Sequence, residues 1–124
     1  MIKDDKVFLV RHTYVPGWHF PGGGVELGQS CQASLGLEIF EETGYRLGGP
    51  GQLFNVYLQK SVSDRDHILV YKCYDFKLDT IFRPNAEIAE AGWFDRLELP
   101  SETTEATRRR LAEIFDGATV DELW

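Results

Sequence analysis

The run Val7-Phe8-Leu9-Val10 puts four large apolar side chains on successive positions. A strand with one wet face would alternate apolar and polar residues, so this one is buried on both sides and needs cover above and below. The strand it belongs to reads from Lys6 to Tyr14. Gln52 to Lys60 and His67 to Leu78 have the same character and are joined by the polar turn Ser61 to Asp66. Trp18-His19-Phe20 reads as a short strand after the Pro16-Gly17 turn, and Ala91 to Asp95 as one more. Two helices interrupt these strands. One runs from Cys31 to about Thr43, with Ser30 as N-cap and Gly44 as C-cap. The other opens at Pro100-Ser101, carries the apolar stripe Leu111, Ile114 and Phe115, and ends at Gly117. Strands outnumber helices without strictly alternating with them, which predicts an α/β fold: a mixed β-sheet with helices on its faces.

A chain of 124 residues with 43% hydrophobic residues and no linker, repeat or low-complexity tract is expected to form one globular domain over 1–124. Its net charge of −7 argues against general nucleic-acid binding, because a phosphate backbone prefers a basic face. An anionic ligand stays compatible with that charge where a divalent cation offsets the local field. No apolar run is long enough for a bilayer, and the opening MIKDD is too charged for a secretory signal. Cys31 and Cys73 have no metal-type spacing and read as reduced thiols, so a cytoplasmic protein is expected.

Glu38, Glu41 and Glu42 lie at i, i+3 and i+4 of the first helix, and so share one face. Three acids in five residues are often only a solvated face. Here they stand in the helix's C-terminal half, where the macrodipole disfavours negative charge. Leu35, Leu37, Ile39 and Phe40 surround them and leave little of the helix for open water. Half-buried carboxylates that repel one another point to a shared cation, and hard oxygen donors suit Mg²⁺ or Mn²⁺. Just before the helix, Gly22, Gly23 and Gly24 let backbone approach a ligand or ion without an intervening Cβ. The Lys-Ser/Thr ending of a Walker loop is absent.

Loop and helix together resemble the Nudix box: Gly, five residues, Glu, seven residues, Arg-Glu, an aliphatic, any residue, Glu-Glu, any residue, Gly and an aliphatic. The chain reads Gly23, Gln29, Leu37-Glu38, Ile39, Phe40, Glu41-Glu42, Thr43, Gly44 and Tyr45 in that spacing. "VFLVRH", "GWHFPGGGVE" and "EIAEAGWFDRLELP" extend the resemblance over most of the chain. It implies an α/β/α sandwich with a mixed β-sheet. It also implies Mg²⁺- or Mn²⁺-dependent hydrolysis of a nucleoside diphosphate linked to another moiety, a nucleotide-like small-molecule substrate. By position, Glu41 and Glu42 match the metal-binding pair, and Glu38 a metal ligand or general base. The Gly22 carbonyl matches a further metal ligand. Glu87 and Glu90 are both candidates for a ligand outside the box.

Two box positions depart from the pattern, Gln29 for glutamate and Leu37 for arginine. The expected result is a weakened or retuned enzyme, with a nucleotide-binding module that does not cleave as the alternative. Only five residues precede Lys6 where the family usually has a strand, so a short or missing N-terminal strand, an exposed sheet edge and a homodimer are expected. Arg11, Trp18 and Gly23 are the candidate substrate contacts. His12, His19 and His67 lack ligand spacing and read as packed or surface residues. Arg108-Arg109-Arg110 reads as mostly solvated.

Overall fold

The structure, a computed structural model, describes residues 1–124. Its strands are β1 (Ile2–Lys3), β2 (Lys6–His12), β3 (Trp18–His19), β4 (Tyr45–Leu47), β5 (Gln52–Leu58), β6 (His67–Lys72), β7 (Phe76–Leu78) and β8 (Ile88–Asp95). Its helices are α1 (Cys31–Thr43) and α2 (Glu105–Phe115). Strand β2 pairs along its whole length with β8, from Lys6 opposite Asp95 to His12 opposite Ile88. Its other edge is shared by β1 and β3. β4 pairs with β7, and β5 with β6. These ladders are antiparallel, and parallel pairing occurs at the Trp18–Thr103 and Leu58–Leu123 bridges.

The pleat of β2 sorts its side chains between two cores. Val7 and Leu9 join Ile2 and Leu111, with Trp18, Phe94, Ile114 and Phe115 packed around them. The apolar stripe of α2 therefore covers this face. Phe8 and Val10 point the other way, to Ile88, Tyr45, Phe82 and Trp93. Helix α1 packs on β4 and β8 at this second face. The result is an α/β/α sandwich with β2 and β8 in its middle, as a strand apolar on both faces requires. No helix is long and apolar enough to cross a membrane.

The caps of α1 lie where the sequence puts them. The Ser30 hydroxyl accepts from the Ala33 amide, and Gly44 takes φ +79° while its N–H donates to the Phe40 carbonyl. A side chain at Gly44 would also collide with the Thr80 carbonyl. Elsewhere the observed elements differ from expectation. The stretch His67 to Leu78 is two strands, because the Cys73 carbonyl accepts from the Ile2 amide and the chain then turns to pair with β4. The last helix starts at Glu105 under a Thr104 cap, not at Pro100-Ser101. Trp18 holds that segment extended: its N–H donates to the Glu102 carbonyl, and its own carbonyl accepts from the Thr104 amide. The N-terminal strand is present but only two residues long, returned into β2 through Asp4, which takes φ +54°.

Within the arginine run, Arg109 is exposed as expected, but Arg110 is not. Arg110 is 0% exposed and ion-pairs with Glu113 at 3.0 Å. Glu113 also accepts from the Tyr57 hydroxyl at 2.9 Å. Arg110 donates to the Leu123 carbonyl at 3.1 Å, and its guanidinium lies over the Tyr57 ring. The long aliphatic stem makes such burial tolerable once the charge is paired.

Candidate active site

The glycine loop reaches the acidic helix through two contacts. The Gly22 amide donates to Glu42 Oε2 at 2.8 Å. Gly23 lies so close to Glu38 that an added Cβ would collide with its carboxylate. A side chain at Gly23 would therefore displace the Glu38 carboxylate from its place beside the loop. Gln29 serves the same loop, its Oε1 accepting from the Glu26 amide at 3.1 Å.

Glu42 is 6% exposed and takes part in none of the molecule's ion pairs. Burial is the main force pushing its carboxyl up to about 7, opposed by the Gly22 N–H and aided by Glu38, Glu87 and Glu41. Glu38 is raised too, by burial first and then by Glu41, Glu87 and Glu26. The last turn of α1 carries no basic residue to relieve the field. A pocket of negative charge with no protein cation is the physical content of the site.

Glu87, one of the two loop candidates, acts on both Glu38 and Glu42. Its position is fixed by Asn85, whose side-chain oxygen accepts from the amides of Glu87 and Ile88, both at 2.9 Å. Glu90, the other candidate, is engaged with Arg11 at 2.8 Å. The acids are hard-oxygen donors, but no three acidic, histidine or cysteine side chains close into a complete metal cage. This donor set fits an ion such as Mg²⁺, which is held by one or two carboxylates and keeps water or phosphate oxygens in the rest of its shell.

Two of the substrate candidates lie away from the acids. Arg11 follows Val7 and Leu9 on the α2 face of β2, where Glu90 occupies its guanidinium. Trp18 pairs with Arg11 on that same face, its ring 4.8 Å from Phe94 in the core. Trp18 is partly buried and packs against the core here. His12 lies on the opposite face with Phe8 and Val10, and so does His19, whose cross-strand partner is Val10. Burial and then the neighbouring His19 lower the His12 pKa, while Glu87 pulls it the other way. Strand parity separates the two neighbours: position 12, not 11, shares a face with the apolar residues turned toward α1.

A model of the NUDIX domain family matches residues 1–114. A putative 8-oxo-dGTP diphosphatase of Bacillus subtilis is 33% identical over 66 residues, which cover 53% of this chain and 44% of that protein. The match thus spans less than half of that relative's length. Among solved structures, a MutT NUDIX hydrolase from Burkholderia pseudomallei superposes with a TM-score of 0.77 at 26% identity, over 92% of each chain. A UDP-X diphosphatase superposes with a TM-score of 0.65 at 28% identity, over 99% of this chain and 63% of that one.

Proposed function

The chain belongs to the Nudix family, and from that membership we propose that it hydrolyses a pyrophosphate bond in a nucleoside diphosphate linked to another moiety. The observation that carries this reading is Glu42, a buried carboxylate with no positive partner, beside Glu38, Glu41 and Glu87. Such a cluster is costly in a fold that gains nothing from it.

Glu41 and Glu42, with Glu38 and the Gly22 carbonyl, would hold Mg²⁺ or Mn²⁺. When bound, the ion supplies charge neutralisation on phosphate oxygens and acidifies water. The chain's own residues do the rest. The Gly22 N–H holds one oxygen of Glu42 in place and leaves the other free. Glu38 lies beside Gly23 in the same acidic group, and where it does not itself ligate the ion its carboxylate can accept a proton from the attacking water. Asn85 anchors the backbone of Glu87, accepting from its amide at 2.9 Å.

The alternative, a nucleotide-binding module, draws on Gln29 and Leu37. Leu37 is 44% exposed and cannot pair with Glu38 as an arginine would. A hydrolysis screen separates the two. Nucleoside triphosphates, dinucleoside polyphosphates and nucleotide sugars are incubated with Mg²⁺, and released phosphate or nucleotide is measured. Turnover that vanishes in EDTA and in Glu42→Gln supports the hydrolase. Tight binding without turnover of any class overturns it in favour of the module.

A further inference from the structure

We infer that His12, His19 and Tyr14 form a platform for the nucleobase of the substrate. This rests on the nucleotide reading of the site. The three rings are grouped at the end of β2. His12 meets His19 edge-on with centroids 5.6 Å apart, and Tyr14 stands 5.3 Å from His12. Tyr14 is 70% exposed, a large ring with an open face on an otherwise acidic molecule. Open aromatic faces of this kind accept bases by stacking, whatever their sequence.

Position and chemistry both connect this group to the acids. His12 shares Glu87 with Glu38 and Glu42, since that one carboxylate acts on all three. A substrate whose phosphates are drawn to the acids by a cation thus has its other end near these rings. The backbone here is held firmly. The Thr13 amide donates to the Glu87 carbonyl at 2.9 Å, and the Thr13 hydroxyl to the Ala86 carbonyl at 2.6 Å. A β-bulge in the pairing with β8 falls between Arg11 and His12, a device that re-aims side chains beside sites.

The imidazole of His12 also has unused hydrogen-bonding capacity. Its Nδ1 is sealed from solvent and has no partner. A buried lone pair costs less than a buried orphan N–H, which assigns the proton to Nε2. Nε2–H is then a donor for an acceptor on the edge of a base, such as a carbonyl oxygen or ring nitrogen.

The test uses binding, so it does not depend on hydrolysis. Imidazole and tyrosine-ring NMR signals of the full chain are followed in EDTA as nucleoside monophosphates or ribose 5-phosphate are added. The expected result is movement of the His12, His19 and Tyr14 signals with the nucleotides and not with the sugar phosphate. Equal movement with ribose 5-phosphate would make this a phosphate contact and overturn the base reading, as would unmoved rings while other signals of the protein shift. Tyr14→Ala, at an exposed position, should weaken monophosphate binding roughly fivefold or more. If a substrate is turned over, Tyr14→Ala and His12→Asn should raise KM more than they lower kcat. Unchanged affinity in Tyr14→Ala would overturn the platform. A protein that binds bases here yet cleaves nothing would sink the hydrolase reading and leave this one standing.

Discussion

Glu42 in α1 and Glu113 in α2 are both withdrawn from solvent, at 6% and 7% exposure, but their surroundings are opposites. Glu113 has Arg110 at 3.0 Å, the Tyr57 hydroxyl at 2.9 Å and the Asp121 amide at 3.3 Å. Glu42 has one backbone amide and three neighbouring acids. Burying a carboxylate is tolerable when its charge and lone pairs are matched, as at Glu113. At Glu42 they are not, and the cost of burial shows as a raised proton affinity. The paired acid belongs to the fold. The unpaired one has no such partner within the fold.

Replacing each acid by its amide should break the two halves of this comparison differently. The largest effect is expected from Glu42→Gln, which should lower kcat by orders of magnitude, because a neutral amide is a poor ligand for Mg²⁺ and cannot share its charge. Its folded state should be at least as stable as the parent, as measured by urea unfolding in EDTA. Full activity in Glu42→Gln would remove the basis for a functional acid cluster. Glu113→Gln should do the reverse. Leaving Arg110 buried without its partner should cost about 3–5 kcal/mol of stability. Activity per folded molecule should be retained, and equal losses of activity and stability in both variants would erase the distinction.

The pH dependence of stability sharpens the contrast. Between the ordinary carboxyl value of 4.5 and about 7, folded Glu42 keeps a proton that the unfolded chain has released. The folded state binds more protons across that window, so this contribution falls as pH rises, by about 3 kcal/mol in total. Unfolding of parent and Glu42→Gln in EDTA from pH 4 to 8 should therefore show the variant gaining relative stability with pH. Parallel curves would mean that Glu42 is already satisfied in the folded protein.

The smallest expected effect concerns the two substituted box positions. Leu37 is half exposed, which leaves room for a longer side chain beside Glu38 and Glu41. Gln29→Glu with Leu37→Arg should raise kcat more than the two single changes combined, with a coupling of roughly 0.5–3 kcal/mol by double-mutant cycle. Strict additivity would show that the positions do not act as a pair. A fall in the double variant would mean that the site is built around Leu37.

The parts legible in the sequence were those encoded locally. Ser30, the acids and Gly44 lie within one helix and its caps, so their spacing alone places them on one face. β4 has three residues and pairs with a strand some thirty positions later, so nothing local marks it. Arg110 reads as one of three solvated arginines because Tyr57 and the C-terminal tail, which enclose it, are distant in sequence. Arg11 and His12 are neighbours in sequence, and only the pleat separates them, putting Arg11 against Glu90 and turning His12 to the other face.

The segment after α2 has a protective role beyond its contact with Arg110. On the edge of β5 away from β6, the Leu58 amide donates to the Glu122 carbonyl, and the Leu58 carbonyl accepts from the Trp124 amide. Asn55 reaches the Asp121 carbonyl from the same strand. That strand also carries Leu53 and Val56 in the open, and a bare apolar strand edge is a template on which further chains can add. Residues 121–124 occupy part of that edge, and should thereby hinder such self-association. Deleting them, or displacing them with a rigid fusion, should cost solubility on concentration before it costs turnover.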